Sequence, residues 1–112
     1  MPKLRIEFLQ AAWHDLDRIS EFHLREVGPV SAETVMDQML DMIEILGDHP
    51  YAGPLHPDPE LARQEYRKLV LTKTYIAVYR VVGNTVYIYR VVNGTTDYPA
   101  FLRLGCARGA SA

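Results

Sequence analysis

The feature that most constrains this chain is the stretch over residues 66–102, YRKLVLTKTYIAVYRVVGNTVYIYRVVNGTTDYPAFL. Three runs of β-branched, aromatic and aliphatic residues are separated by two short polar breaks, Thr72-Lys73-Thr74 and Gly83-Asn84. That pattern predicts three consecutive antiparallel strands joined by tight turns. Gly83 and Asn84 both accept positive φ at little cost, as a two-residue hairpin requires. A turn centred there pairs Arg80 with Tyr87, Val78 with Tyr89 and Ala77 with Arg90, because hairpin register follows from the turn.

Strict alternation then sorts the side chains of this hairpin onto two faces. One carries Ile76, Val78, Val82, Tyr87, Tyr89 and Val91, and the other Tyr75, Ala77, Tyr79, Val81, Val86, Ile88 and Val92. Both are apolar, whereas a sheet with one face in water alternates apolar with polar. The rest of the chain supplies helices for one side. The second face is therefore expected either to lie under a loop or the C-terminal segment, or to dock a partner through its Arg and Tyr residues.

Upstream, residues 3–8 alternate charged residues with Leu4, Ile6 and Phe8, which predicts a short strand that must join the later sheet from a distance. The period then changes. Trp13, Leu16, Ile19, His23 and Val27 recur at three- and four-residue steps and predict a helix over residues 9–27, with Asp15, Asp17, Arg18, Glu21 and Arg25 facing water. Gly28-Pro29 ends it. Ser31 is the expected N-cap of a second helix whose stripe is Val35, Met39, Met42, Ile43 and Leu46, closed by Gly47. The expected product is an antiparallel helical hairpin. Trp13 and Ile43 are predicted core residues, each worth about 2–5 kcal/mol on truncation to Ala. Residues 48–65 hold Pro50, Pro54, Pro57 and Pro59 and read as an extended connection without regular structure.

The 112 residues suit one domain, expected over residues 1–104 with a flexible tail over 105–112. Cys106 is the one cysteine, so no intramolecular disulfide forms. Without an apolar leader or a membrane-spanning run, a cytoplasmic location is expected. His14, His23, His49 and His56 lack a compact ligand spacing, so no metal and no cofactor are expected. Charge is segregated. Residues 1–60 hold 4 Lys/Arg against 12 Asp/Glu, a net of −8, and residues 61–112 hold 8 against 2, a net of +6. A basic strand half on an acidic helical half points to an anionic partner for the sheet, an acidic peptide or nucleic acid, or to neutralisation of one half by the other.

The last strand and its exit, Val86-Tyr87-Ile88-Tyr89-Arg90-Val91-Val92-Asn93-Gly94-Thr95-Thr96-Asp97-Tyr98-Pro99-Ala100-Phe101, place an arginine inside an apolar strand, then a polar residue, glycine and aspartate. With the Arg67-Lys68-Leu69 strand, the helical hairpin and the proline-rich loop, the chain resembles the RelE/ParE superfamily of toxins from type II toxin–antitoxin systems, closer to the ParE-like branch. The resemblance implies an α+β fold: an N-terminal strand, a two-helix antiparallel hairpin, then a three-stranded antiparallel meander in one small sheet. It implies a cognate antitoxin of ribbon-helix-helix type with an acidic C-terminal segment, and a hetero-oligomer with it. The expected function is ParE-like inhibition of DNA gyrase, with RelE-like cleavage of ribosome-bound message, or a degenerate toxin that retains only antitoxin binding, as the alternatives.

Cleavage of RNA through its 2′-hydroxyl needs an acid, a base and cations on the phosphate. The nuclease candidates are Arg67, Lys68, Lys73, Arg80 and Tyr98. Of the positions at which RelE-like members carry basic residues, Ile76 and Thr96 are not basic here, and Asn93 stands where histidine is frequent. Tyr98 has an ordinary pKa of about 10 and serves as an acid only if strongly perturbed. The ParE-like pattern keeps Arg90, Gly94 and Asp97. The residues expected to bind antitoxin or target are Arg67, Tyr75, Arg80, Tyr87, Tyr89, Arg90, Asn93, Asp97 and Tyr98, without direct binding of nucleic acid. Arg90 has a structural alternative, a carboxylate partner such as Asp97.

Overall fold

The computed structural model describes residues 3–96 together with Tyr98, Pro99 and Leu102. Asp97 and the segment over residues 105–112 lie outside the described residues. The elements follow the expected order with α3 added in the proline-rich connection: β1 (Arg5–Phe8), α1 (Gln10–Glu26), α2 (Pro29–Glu44), α3 (Pro59–Arg63), β2 (Arg67–Val70), β3 (Tyr75–Val82) and β4 (Thr85–Asn93). The strands form one sheet in the order β1-β4-β3-β2. β4, β3 and β2 make the antiparallel meander, and β1 joins β4 in parallel, pairing Ile6 with Val86 and Phe8 with Ile88.

The β3–β4 turn is tight, as expected, but Gly83 alone of its two central residues takes positive φ, at 59°. Arg80 pairs with Tyr87 and Val81 with Val86. Beyond that the expected register fails. A bulge between Val78 and Tyr79 makes Val78 the partner of Arg90 and Ala77 the partner of Val91, so Tyr89 is the inserted residue. One extra residue exchanges the faces of everything after it. Val91 therefore packs with the helices and Val92 with the opposite core, the reverse of the alternation from the turn.

The helix side of the sheet buries Tyr75, Ala77, Tyr79, Val86, Ile88 and Val91 against Leu16 of α1 and Met39, Ile43 and Leu46 of the α2 region. The other side is not the open apolar face that one reading of the sequence expected. Ile76, Val78 and Val92 lie under Leu61, Tyr66, Tyr98 and Leu102. The proline-rich connection supplies part of that cover, because it is not wholly irregular. Asp58 caps α3, its carboxylate accepting the Leu61 N–H at 3.1 Å, with Pro59 at the first helical position. The loop ahead of α3 packs against β2 so closely that a Cβ at Gly53 would run into the Lys68 carbonyl.

Two helix expectations change. α2 starts at Pro29, not beyond Ser31, so Gly28, at φ 137°, ends one helix and caps the next. On α1 the inward face is rotated. Trp13 is 47% exposed and Val27 69%, whereas Asp15, expected in water, is 4% exposed. Trp13 stacks on Phe8 with ring centroids 4.4 Å apart.

These positions reset the stability expectations. Ile43→Ala should cost about 2–5 kcal/mol, because its buried methylenes leave a cavity. Trp13→Ala should cost only about 0.5–1.5 kcal/mol, the worth of one half-exposed aromatic contact. Gly53→Ala should cost about 1–3 kcal/mol, because the backbone of β2 must give way. Denaturant unfolding of the three variants measures all of these.

Candidate functional site

β1 is shorter than β4, and its last bond to β4 is the Leu9 N–H to the Ile88 carbonyl, 3.0 Å. Beyond Ile88, α1 takes the place of the missing strand. Asp15 Oδ2 accepts the Val91 N–H at 3.0 Å, filling the ladder position that β1 leaves. The same carboxylate receives Arg90 through Nε at 2.6 Å and Nη2 at 2.9 Å, and Arg18 at 2.8 Å. A two-point guanidinium–carboxylate pair fixes direction as well as charge. The bond to Asp15 strengthens the hold of Arg90 on its proton, against the opposing pull of burial. Arg90 thus has a buried structural partner. The sequence contained one signal of this: Ala12, Asp15, Leu16 and Ile19 lie at helical spacing, so an acid interrupts an apolar stripe.

The outer sheet face carries a second cluster. Arg80 sits over the Tyr66 ring at 5.2 Å, and Tyr66 and Tyr89 have centroids 5.2 Å apart. Tyr87, cross-strand partner of Arg80, is 36% exposed. Lys68 pairs with Val78, two residues from Arg80, which puts it on the same face. This is a cationic and aromatic surface, held flat by ring contacts and backed by the smaller core.

The remaining predicted residues are dispersed. Arg67 donates to the Gly53 carbonyl at 2.9 Å and stacks on Tyr51 at 4.7 Å. Beside it, the Tyr79 hydroxyl accepts the Gly53 N–H and donates to the Pro50 carbonyl, both at 2.9 Å, so Gly53 ties the loop to β3. Tyr75 is buried on the helix side with its hydroxyl 3.1 Å from His23 Nε2. Lys73 lies exposed in the β2–β3 turn, and Asn93 Oδ1 accepts the Thr95 N–H at the strand exit.

Tyr98 is buried, and its hydroxyl lies 2.6 Å from Nε2 of buried His56. Nδ1 of His56 accepts the Asp58 N–H at 3.0 Å, so the neutral ring carries its proton on Nε2 and donates it to Tyr98. Burial lowers the His56 pKa, Lys68 adds to this, and Asp58 opposes it. Burial raises the Tyr98 pKa, with Asp58 adding to it, which makes the phenol a weaker acid. The sequence placed His56 in a loop without a partner, because the forty-two residues to Tyr98 are spanned only in the fold. Among the described residues no group of three His, Cys, Asp or Glu could hold a metal ion, and no helix is long and apolar enough to cross a membrane.

The ordered set of one strand, a helical hairpin and an antiparallel meander, with this two-sided sheet, defines a RelE/ParE-type toxin fold. A family model described as the ParE toxin of the parDE type II toxin–antitoxin system matches residues 6–98, and the chain belongs to that family. Three solved structures share the fold. The chromosomal ParDE toxin–antitoxin system from P. aeruginosa is 22% identical with a TM-score of 0.69, over 81% of this chain and 96% of that one. The YoeB/ParE toxin from Agrobacterium tumefaciens is 21% identical with a TM-score of 0.55, over 80% and 98%. The toxin–antitoxin complex RelBE2 from Mycobacterium tuberculosis is 23% identical with a TM-score of 0.53, over 81% and 98%. No curated protein sequence matches the chain.

Two outcomes test this anatomy. Asp15→Ala should cost about 3–5 kcal/mol in denaturant unfolding, because it strips a buried carboxylate from two arginines and an amide. A histidine with a folded pKa below its unfolded value binds more protons unfolded, so its contribution is complete above about pH 6.5 and is lost as pH falls below that. The thermal midpoint should therefore drop from pH 7 towards pH 5.5, and His56→Gln should flatten that part of the profile relative to the wild type.

Proposed function

We propose that this chain is a ParE-like inhibitor of DNA gyrase, a toxin that acts by binding and is neutralised by a cognate antitoxin of ribbon-helix-helix type with an acidic C-terminal segment. The observation that carries the choice of binding over cleavage is the state of Tyr98. Its phenol is enclosed against His56, with its acidity weakened by burial. A general acid needs access to the leaving oxygen and a pKa near the working pH. The other nuclease candidates support the same reading. Arg67 is committed to Gly53 and Tyr51, Lys73 stands in a turn, and Lys68 and Arg80 lie on the sheet face without Tyr98 open beside them. Losing one transition-state donor costs a rate factor of about a hundred to a thousand, so this dispersal leaves little cleavage.

Inhibition by binding asks for less: a folded surface with a few anchors. The outer sheet face offers Arg80, Tyr87, Tyr89 and Lys68, residue types that dominate interface energies. Their positive charge suits an acidic protein surface. On this reading the chain works in the bacterial cytoplasm as one domain over residues 1–104, in complex with antitoxin until released. Asn93 and Asp97 lie at or beyond the exit of β4, where a further target contact is proposed.

Purified toxin should inhibit supercoiling by gyrase in vitro and leave a defined message intact on translating ribosomes. Tyr87→Ala and Arg80→Ala should each weaken inhibition about tenfold or more, with unchanged thermal midpoints. Codon-positioned cleavage of the message with normal supercoiling would reverse the assignment in favour of a ribosome-dependent nuclease.

A further inference from the structure

Outside the tyrosines, two ionisable side chains are buried among the described residues, Asp15 and His56. Asp15 is committed to Arg90, Arg18 and the Val91 amide. The contacts of His56 run instead towards the outer sheet face. Its amide donates to the Tyr66 carbonyl at 2.9 Å, beside the bridge between Leu55 and Arg67. The Tyr66 ring in turn lies under Arg80 and next to Tyr89. Three groups bear on the imidazole from the elements around it. Lys68 of β2 opposes its protonation, and Asp58, the cap of α3, favours it. The C-terminal segment brings the Tyr98 hydroxyl to 2.6 Å. The further charges of these elements are engaged elsewhere, Glu60 with Arg63, and Arg67 with Gly53 and Tyr51.

The neutral ring has a fixed polarity. Nε2 donates to Tyr98, and Nδ1 accepts the Asp58 N–H at 3.0 Å. The Asp58 carboxylate meanwhile accepts the Leu61 N–H at 3.1 Å and so caps α3. A second proton enters at Nδ1, the one ring nitrogen that still accepts. It sets N–H against N–H, so the Asp58 amide loses its acceptor. The new donor also competes with Leu61 for the Asp58 carboxylate. A helix of five residues has little stability of its own and depends on its cap. Tyr66 follows α3, because its N–H donates to the Leu61 carbonyl at 3.0 Å and both side chains pack in the second core. The bond to Tyr98 survives, since Nε2 stays a donor, so the release is at Asp58 and α3.

We propose that His56 is a proton-operated latch on the outer sheet face. Neutral, it seats α3 and holds Tyr66 under Arg80 and next to Tyr89. Protonated, it uncaps α3 and unseats these three side chains. The inference rests on the reading of this face as the surface that binds the target. His56 is a positioning residue, buried beneath the face and acting through Tyr66. The latch is closed above about pH 6.5, the ordinary histidine value, and opens as the pH falls through the lower value that burial gives this ring. Acid thus weakens target binding with every surface side chain unchanged in charge.

The whole chain is followed by NMR between about pH 7.5 and pH 5, reading the His56 ring protons together with the Tyr66 and Tyr89 rings. The three should titrate with one midpoint. Asp58→Asn keeps a capping oxygen and removes the charge that favours protonation, so it should lower that shared midpoint. In parallel, affinity for purified gyrase should fall about tenfold between about pH 7.5 and pH 5.5 in the wild type. His56→Gln should bring the ratio of the two affinities close to one, with thermal midpoints reporting folding. Should His56→Gln fail to fold, the wild-type titration and Asp58→Asn decide the matter. Titration of His56 with the Tyr66 and Tyr89 signals unmoved would overturn the proposal. A folded His56→Gln protein that keeps the full pH dependence of binding would overturn it as well. A shared midpoint in a protein that binds gyrase at no pH would sustain the latch and instead remove the gyrase reading.

Discussion

One buried carboxylate carries much of this architecture. Asp15 stands where β1 stops short of β4, and it receives Arg90, Arg18 and the Val91 amide together. Taking a carboxylate out of water costs several kcal/mol unless charge and hydrogen bonds compensate it. Here both do. The consequence is geometric. The pair locks α1 across the end of β4, holds the Val91 amide off a bare sheet edge, and coincides with the bulge that reverses the faces of Val91 and Val92. A strand arginine that resembles a family's functional residue is thereby also a structural strut, so loss of activity in an Arg90 variant cannot be separated from loss of packing without a stability measurement.

The bulge has a second effect. By sending Val92 outward it completes a small core with Ile76, Val78, Leu61, Tyr66, Tyr98 and Leu102 on the face away from the helical hairpin. That core is clamped by the His56–Tyr98 hydrogen bond and by the Asp58 cap of α3. The sheet is covered on the helix side and half-covered on the other. What remains in solvent is the strip around Arg80 and Tyr87, the kind of surface from which a protein partner gains affinity. The cover also withdraws Tyr98 from solvent. The phenol that stabilises the second core is thereby enclosed against His56.

Much of the fold was legible in the sequence, for identifiable reasons. The meander was readable because β-branched and aromatic runs broken by Thr72-Lys73-Thr74 and Gly83-Asn84 have few other solutions. The hairpin of α1 and α2 was readable because Leu16, Ile19, Met39 and Ile43 keep helical spacing between Gly and Pro punctuation. The site was less legible. Arg90, Arg80, Tyr87 and Lys68 stand out as residue types, yet their partners are set by contacts distant in the chain. Asp15 lies seventy-five residues before Arg90. Trp13 looked like core because size and spacing suggested it, whereas the helix turned so that Leu16 and Asp15 face inward and Trp13 rests on Phe8 at the rim.

Local pattern by itself determined the identity and order of the elements apart from the short α3, the tight turn at Gly83-Asn84, the segregation of charge between the two halves, and the resemblance to toxins of this type. Each depends on interactions within a few residues or on composition, which the sequence states directly. Tertiary structure decided the parallel placement of β1, the bulge at Tyr89, the burial of Asp15 and His56, and how far the face away from the helical hairpin is covered. Each of those is a competition between distant segments for the same surface or the same hydrogen bond, and only the folded chain brings the competitors together.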